Sequence, residues 1–357
     1  MYSGQTKIAY VLPEYNERTD THLYYNYELI KDASYKLDIF VVAEKAEGVF
    51  NLGTPYRAQK HRKGFMRFFE IFWILFSLRG KGYNNFYVHY SYYGALAAWL
   101  ASKIRGGRVF YWNCGMPWLF KRPSFEESVF RFILKHTILV TGTESLAKEY
   151  QKRYRVRDYR ILSNWVDADR LRPRESKEAT KSWFGLKAEN KIVLFVHHLS
   201  ERKGADLIPK IAEAFPGVYF LVAGEGPSKD YLLEEALKSV AIIRVLGGVP
   251  NSDIAPYLQA ADVFIMPSRE EGLPHVILDT MAAGTPFVAA DVGGTKDLVP
   301  RGYENFLCES GNVDCFQNKI KKLLEDKEIY NSFREACFKK ALEFGREKAI
   351  RDFIALF

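Results

Sequence analysis

Cysteine is scarce in this sequence. Its 357 residues include only Cys114, Cys308, Cys315 and Cys337, which form neither a CxxC pair nor a Cys/His cluster. The spacing therefore offers no metal-binding or dithiol motif. We expect unpaired thiols in a reducing compartment, because disulfides persist mainly in oxidising ones.

Long apolar segments are also missing. The longest apolar run, residues 68–78, has 11 residues and contains Glu70, whereas about 18 to 20 residues are needed to span a bilayer. The N-terminus, MYSGQTKIAYVL, lacks the basic stretch and apolar region of a signal peptide. We therefore expect a cytoplasmic protein that does not cross a membrane, and that is either soluble or held at the inner membrane face.

Positive charge is confined to one half of the chain. Residues 1–165 contain 25 Lys and Arg against 14 Asp and Glu, a surplus of 11, whereas residues 166–357 contain 26 against 29, a deficit of 3. The net charge of +8 therefore comes wholly from the first half. This asymmetry favours anionic partners such as phosphates or a membrane surface. No nucleic-acid-binding motif accompanies the charge, so we expect no nucleic-acid partner.

The length of the chain predicts two domains of about 150 to 180 residues each. In each half, short β-rich runs alternate with segments of helical spacing, a pattern that predicts βαβ units and parallel sheets. The predicted strands are 7–12, 38–44, 86–90, 108–113 and 137–142 in the first half, and 191–199, 218–226, 242–247, 263–268 and 286–291 in the second. Among the predicted helices are 22–34, 65–79, 94–104, 231–239, 254–260 and 275–283.

A polar, proline-bearing segment at 163–173, SNWVDADRLRP, interrupts this pattern and predicts a linker. We place an N-terminal domain at 1–165, a second domain at 166–340, and a C-terminal helix at 341–357 that packs back on the first domain. The predicted fold class is α/β, with two doubly wound Rossmann-like domains facing a central cleft. In such sheets ligands bind at the carboxyl ends of the strands, near the point where the strand order reverses.

The segment EEGLPHVILDTMAAG, residues 270–284, places two carboxylates around a predicted helix start. Pro274 suits the first position of a helix. Glu271 then lies in the preceding loop, and Asp279 lies about 7 Å further along the helix. The free N–H groups at such a helix start attract phosphate. The two acids either grip different parts of one ligand or are an ordinary loop acid and a helix-surface acid, and this segment alone leaves both open.

Small or polar turns follow five consecutive predicted strands of the second half. They are HHLSERKG (197–204), AGEGPS (223–228), GGVPN (247–251), PSREEGLP (267–274) and ADVGG (290–294). In the first of them, Lys203 followed by Gly204 predicts a mobile ammonium and a tight helix entry, which suit a diphosphate. The regular placement of these turns predicts a ligand site along one edge of the second sheet.

Together these segments resemble the retaining glycosyltransferase family 4, whose members have the GT-B fold of two Rossmann-like domains. The stretch PSREEGLPHVILDTMAAGTPFVAADVGG is similar to the family's EGLP-type signature, in which a second acid follows the first by eight residues. VHHLSERKG is similar to GRLxxxKG, AGEGP to AGxGP, and SNWVDADRL to NGVDxxxF. The resemblance covers the second half in order and spacing, and it is loose in the first half.

The resemblance implies a metal-independent transfer of a hexose from a UDP- or GDP-sugar, without a cofactor. It implies that Glu271 binds the hydroxyls of the donor sugar, that Lys203 and His198 neutralise the leaving diphosphate, and that Asp279 binds the ribose. Around the nucleotide and its diphosphate it places Leu273, Pro274, His275, Val276, Gly224 and Val249. No protein nucleophile is required, because the leaving phosphate is pictured as taking the proton of the acceptor.

Three departures from the family pattern bear on these roles. His198 replaces an arginine and is a weaker, pH-dependent cation. Asp279 replaces a glutamate and is one methylene shorter, while PEYNERTDTH (13–22) stands where many relatives have a glycine-rich loop. On the acceptor side the candidates are His22, Asp20, His89 and Asn113. A surface loop is the alternative for the first two, and a hydrogen-bonded core position is the alternative for His89.

The aromatic segment 60–83 fits two environments. Helices that are apolar all round are usually buried, whereas basic flanks around aromatic side chains suit an anionic membrane interface. We expect peripheral membrane contact through the basic N-terminal domain and a glycan or lipid-linked acceptor at the cytosolic membrane face. The alternative functions are a GT-B sugar-nucleotide epimerase and a non-catalytic nucleotide-sugar-binding subunit.

Overall fold

The structure is a computed structural model that describes residues 5–17, 23–61 and 64–357. The chain divides into two compact units. The N-terminal unit contains the described residues up to Ser163 together with Glu347–Phe357, and the C-terminal unit is Asn164–Arg346. The chain therefore passes between the units at 163/164 and 346/347, where the sequence pattern places the boundaries at 165/166 and 340/341.

The N-terminal unit is built on a seven-stranded parallel sheet with the order β5-β3-β1-β6-β7-β8-β9. A short parallel pair, β2 and β4, lies outside this sheet. The strands are β1 Lys7–Leu12, β2 Tyr15–Asn16, β3 Asp38–Ala43, β4 Ala46–Glu47, β5 Tyr56–Ala58, β6 Asn85–His89, β7 Arg108–Trp112, β8 Ile138–Thr141 and β9 Tyr159–Ile161. The helices are α1 Leu23–Ala33, α2 Gly64–Gly80, α3 Tyr92–Arg105, α4 Ser124–His136 and α5 Glu144–Tyr154.

Helices cover both faces of this sheet. The β1-to-β3 and β6-to-β7 connections run in opposite directions across it, and right-handed crossovers then place α1 and α3 on opposite faces. Helices α2, α3 and α4 share one face, where Leu75, Ala98 and Ile133 pack with Phe86 and Val88 of β6 in one apolar cluster. Because both faces are covered, the central strands are continuously apolar rather than alternating.

The end of the chain is seated on the N-terminal unit by aromatic packing. The ring of Phe353 lies 5.1 Å from that of Tyr87 and 6.0 Å from that of Tyr10, measured between centroids. The ring of Phe357 lies 5.0 Å from that of Phe110. Aromatic pairs at these separations add stabilisation beyond the area they bury.

The C-terminal unit has a six-stranded parallel sheet with the order β12-β11-β10-β13-β14-β15. Its strands are β10 Ile192–Val196, β11 Tyr219–Ala223, β12 Ile242–Gly247, β13 Val263–Met266, β14 Phe287–Ala290 and β15 Leu307–Cys308. Its helices are α6 Ala168–Leu171, α7 Lys177–Trp183, α8 Ile208–Ala212, α9 Lys229–Ala236, α10 Ala255–Ala260, α11 His275–Ala282, α12 Thr295–Leu298, α13 Val313–Glu325 and α14 Lys327–Leu342; the last helix, α15, is Arg346–Ile354 and lies almost wholly in the N-terminal unit. The strand order reverses between β10 and β13, which makes their carboxyl ends the expected ligand position.

Two of the cysteines are not free, so the expectation of unpaired thiols is wrong for them. Cys308, in β15, and Cys315, in the first turn of α13, form a disulfide with their Cα atoms 5.8 Å apart. The turn between the strand and the helix returns the chain on itself, and Asn312 caps the helix by accepting from the Cys315 N–H at 3.0 Å. Cys114 and Cys337 are free and buried.

The aromatic helix α2 is neither wholly buried nor wholly exposed. Its inner face, including Ile71 and Leu75, is buried in the core. Phe65, which is 74% exposed, and Phe69 and Trp73, which are more than half exposed, follow one another at four-residue spacing and form an outer aromatic stripe. Among the described residues, no helix combines the length and the apolar character needed to cross a membrane.

Candidate functional site

A buried carboxylate lies at the switch point of the C-terminal sheet. Glu271, only 5% exposed, follows β13, and its Oε1 accepts from the Lys203 Nζ at 2.9 Å and from the Ser268 Oγ at 2.7 Å. The His197 Nε2, at the end of the neighbouring strand β10, lies 3.1 Å from the same oxygen. The other oxygen, Oε2, has no hydrogen-bond partner among the residues that the structure describes. One oxygen is therefore fixed by the protein, and the other is available to a ligand.

The neighbours of Glu271 keep it ionised. Burial by itself would raise the pKa of this carboxyl, but the attraction of His197 and Lys203 outweighs burial and lowers the pKa to about 2. Burial also lowers the pKa of His197, although Glu271 partly opposes that effect. At neutral pH Glu271 is therefore a carboxylate, held by Lys203 and His197. A carboxylate with so low a pKa accepts hydrogen bonds and does not act as a general acid.

Lys203 is held in place, so the expectation of a mobile ammonium is wrong. The residue is buried, and its Nζ donates to the Glu270 carbonyl oxygen at 3.0 Å as well as to Glu271. Both contacts come from the loop after β13, which anchors the ammonium against the end of that strand. An ammonium has three donors, so two are used by the protein and one remains for a ligand.

Glycines let the backbone segments around the site approach closely. Gly293 has φ +56°, and a Cβ at this position would lie 1.7 Å from the carbonyl oxygen of Glu271. Gly224 has φ +146°, and its Cβ would lie 1.8 Å from the carbonyl oxygen of His197. A side chain at either position would displace the backbone that carries Glu271 or His197. This close packing explains why the turns after β11 and β14 contain glycine.

Helix α11 starts directly after the Glu271 loop. Pro274 precedes the helix as its N-cap, with φ −71° and ψ 115°. The prediction that Pro274 is the first helical residue is therefore wrong by one position. No side chain caps this end by a hydrogen bond. The N–H groups of the first turn, which starts at His275 and Val276, therefore provide the anion-attracting environment of a free helix start. Leu273 is buried, and its carbonyl oxygen accepts from the Asn164 side chain.

The remaining candidates of the C-terminal unit are placed as follows. Asp279 lies in the second turn of α11 and is buried, so it is not a helix-surface acid. His198 is exposed, and its backbone N–H donates to the Nδ1 of His197 at 2.8 Å. Val249 is half-buried in the loop after β12. The histidine in contact with Glu271 is therefore His197, which the sequence analysis did not select.

Two N-terminal candidates are buried among other side chains. The ring of His89 stacks on that of Trp112, with centroids 4.2 Å apart. The Asn113 Oδ1 accepts from the Tyr150 hydroxyl at 2.7 Å and from the Gly115 N–H at 3.2 Å. These contacts match the core alternative for His89 and give Asn113 a structural role.

His22 and Asp20 lie outside the described residues. Among the residues that are described, no group of three or more His, Cys, Asp or Glu side chains is placed to hold a metal ion. Lys203 and the start of α11 provide positive charge at the site.

Acid is expected to destabilise the C-terminal unit through Glu271. The pKa of this carboxyl is about 2 in the folded protein against an ordinary 4.5, so its stabilisation is fully present above pH 4.5 and is lost as the pH falls toward 2. The complete loss corresponds to roughly 3 kcal/mol of unfolding free energy. Urea unfolding at a series of pH values measures this, and Glu271→Gln should flatten the curve over that interval. Parallel curves for the two proteins would contradict the ionised state.

Comparisons with known proteins show what this chain resembles in sequence and in fold. Residues 176–340 match the family model of glycosyl transferases group 1. A glycosyltransferase of Haemophilus influenzae is 30% identical over 172 residues, which are 46% of this chain and 48% of that protein. The chain thus spans about half the length, or less, of the first curated relatives it matches.

Two solved structures share the fold over nearly the whole chain. Sucrose-phosphate synthase from Thermosynechococcus elongatus superimposes with a TM-score of 0.84 at 16% identity, covering 99% of this chain and 98% of that one. Anabaena Alr3699/HepE, in complex with UDP and glucose, superimposes with a TM-score of 0.80 at 17% identity, covering 99% of both chains. The chain therefore has the GT-B fold of two Rossmann-like domains, and its C-terminal unit matches the glycosyl transferases group 1.

Proposed function

We propose that this protein is a retaining glycosyltransferase. In this proposal it moves a hexose from a UDP- or GDP-sugar to a glycan or lipid-linked acceptor at the cytosolic membrane face. The observation that carries the proposal is the ionised, buried Glu271 at the switch point, with one oxygen fixed by the protein and the other available. It lies in a unit whose sequence matches the glycosyl transferases group 1.

The site supports a division of roles along the donor. The Oε2 of Glu271 accepts hydrogen bonds from hydroxyls of the donor sugar, while the remaining donor of Lys203 and the N–H groups at the start of α11 bind the diphosphate. Asp279, in the second turn of that helix, binds the ribose. Fixed positive charge at the diphosphate is worth most where charge develops as the leaving group departs.

The transfer needs no covalent bond to the protein. The acceptor oxygen bonds to the anomeric carbon on the face from which the diphosphate leaves, and the bond between that carbon and the diphosphate oxygen breaks. The departing phosphate takes the acceptor's proton. Lys203 and the helix start stabilise the charge of the leaving group, the task that a metal ion would otherwise perform. We therefore also propose that the reaction is independent of metal ions.

The donor and acceptor classes have separate support. The UDP and glucose bound by Anabaena Alr3699/HepE support a UDP-hexose as the first donor to test. The N-terminal unit carries a surplus of 11 positive charges, the same as residues 1–165. Residues 347–357, which return to this unit, leave the surplus unchanged because they add two basic and two acidic residues. Together with the outer aromatic stripe of α2, this charge supports an acceptor located at an anionic membrane.

Incubation of the protein with UDP- and GDP-hexoses, with and without lipid acceptors, tests the proposal. We expect nucleotide release that depends on the acceptor, a product with the anomeric configuration of the donor by NMR, and an unchanged rate in EDTA. An isomerised sugar nucleotide formed without an acceptor would identify an epimerase. Nucleotide binding without turnover under every condition would identify a non-catalytic subunit.

A further inference from the structure

A cationic cavity opens on the N-terminal unit, and its lining includes none of the candidate residues discussed above. It has a volume of about 530 Å³ and lies between the turn Pro117–Leu119 and helices α4 and α5. Its lining includes four cations, Lys121, Arg122, Arg131 and Arg153.

The cavity keeps a net positive charge after its ion pairs are counted. Glu127 is shared by two guanidinium groups, since it accepts from Arg122 at 3.2 Å and from Arg131 at 2.7 Å. Arg153 pairs with Glu149 at 2.8 Å. Lys121 is exposed and has no carboxylate partner among the described residues. Four cations therefore face two carboxylates, which leaves two positive charges uncompensated.

Aromatic rings hold the guanidinium groups in place. Arg153 lies over the ring of Trp118 at 5.0 Å, and Arg131 lies over the ring of Tyr154 at 4.9 Å. A stacked guanidinium uses its face on the ring and keeps its N–H edges for other partners. Phosphate fits such edges, because two parallel N–H···O bonds can form.

Exposed apolar side chains surround this cationic cavity. Phe125, at the start of α4, is 71% exposed, and Leu119 and Phe120 on the adjoining turn are also exposed. A soluble phosphate would need only the cations. Apolar side chains beside a phosphate-binding pocket match a lipid bilayer, where headgroup phosphates lie just above the acyl chains.

We propose that this cavity binds the phosphate of an anionic lipid headgroup and docks the N-terminal unit on the membrane. Phe125, Leu119 and Phe120 enter the interface, while Arg131 and Arg153 contact the phosphate. The outer aromatic stripe of α2 lies on the same side of the sheet. The inference rests on the proposed function for its membrane-located acceptor, but lipid binding can be measured without turnover.

Cosedimentation with vesicles tests the proposal. We expect binding to vesicles of phosphatidylcholine with phosphatidylglycerol and little binding to phosphatidylcholine alone. Arg131→Ala combined with Arg153→Ala should weaken binding about 30-fold, since each basic residue at an anionic surface contributes roughly a fivefold factor. Both side chains are about half exposed, at 54% and 44%, so the fold should be retained. Phe125→Ser should also weaken binding.

The matched control is Lys31→Ala combined with Lys36→Ala. It removes the same charge at and just beyond α1, which covers the opposite face of the sheet, and should change binding less than about threefold because such distant charges are screened. An equal loss in the control would overturn the proposal in favour of diffuse attraction. Absence of vesicle binding would also overturn it. So would a cavity that serves free phosphate alone, in which case Arg131→Ala abolishes the binding of inorganic phosphate and leaves vesicle binding unaffected.

Turnover with a water-soluble acceptor separates this inference from the proposed function. The arginine variants should keep their nucleotide release with such an acceptor, because neither arginine is among the residues that contact Glu271 or Lys203. If vesicle binding fails while acceptor-dependent turnover persists, only the docking proposal is wrong. If vesicle binding depends on the cavity but no acceptor supports turnover, only the proposed function is wrong.

Discussion

Replacing Glu271 by glutamine is expected to lower kcat by about 10²- to 10³-fold, the usual cost of removing one fixed electrostatic group from an active site. The substitution keeps the shape of the side chain but removes its charge. It thereby weakens acceptance at Oε2 from the donor sugar and replaces the ion pair with Lys203 by a weaker hydrogen bond. We expect this contact to strengthen as the sugar reacts, so kcat should fall more than the affinity for the nucleotide.

The neighbouring acid provides a matched control for this prediction. Glu270 is also buried, but its side chain pairs with Arg202 at 3.4 Å, and the hydrogen bond that it accepts from Lys203 is to its backbone carbonyl oxygen. Burial raises the pKa of Glu270, although Arg202 and Lys203 oppose the effect. We expect Glu270→Gln to keep turnover within a few-fold. Donor-dependent nucleotide release measured for both variants decides the matter, and equal losses in the two would contradict a specific role for Glu271.

The long central strands could be predicted from the sequence, and the short edge strands could not. KIAYVL at 7–12, in the middle of its sheet, has the predicted bounds, because a continuous apolar run is the pattern of a covered parallel strand. IIRVLG at 242–247 also has the predicted bounds, although it is a partly exposed edge strand. The strands β5, β9 and β15 have only two or three residues, YRA, YRI and LC, and were missed. Their pairing with a longer neighbour makes them strands, and single-sequence periodicity does not contain that information.

The site was predictable in its parts but not in its contacts. Glu271 and Lys203 lie at turns that follow apolar strands, and the sequence therefore places them at one sheet edge. Their direct ion pair depends on how two loops pack, which no local pattern reports. The choice between His197 and His198 fails for a related reason: β10 is buried on both faces, so alternation along the strand does not tell which histidine points toward β13.

Packing also decides features that composition leaves open. The helix at 64–80 is apolar on nearly all sides, and only its contacts separate the buried face from the outer aromatic stripe. The disulfide between Cys308 and Cys315 depends on the turn that brings β15 to α13. The count of apolar residues does not predict which face of the helix is exposed, and the seven-residue separation of these cysteines does not predict their disulfide.

Replacing Lys203 by methionine is expected to have a large effect on both stability and turnover. Among the described residues, the variant leaves Ser268 and His197 as the partners of the buried Glu271. Breaking a buried pair in this way costs about 3–5 kcal/mol. The pKa of Glu271 should rise, because one of the groups that lower it is gone. Without the ammonium, the leaving diphosphate loses charge stabilisation, and kcat should fall about 10²- to 10³-fold.

Two further variants separate these effects. Arg202→Met removes the adjacent cation, which is about half exposed and pairs with Glu270, and should alter stability by less than about 1 kcal/mol. Combining Lys203→Met with Glu271→Gln removes the uncompensated charge and should restore most of the lost stability, as urea unfolding would measure, without restoring turnover. A stable but inactive double variant would show that the pair serves the chemistry as well as the fold. If Lys203→Met alone keeps the wild-type kcat, its ammonium only holds Glu271 in place, and the start of α11 must stabilise the leaving group.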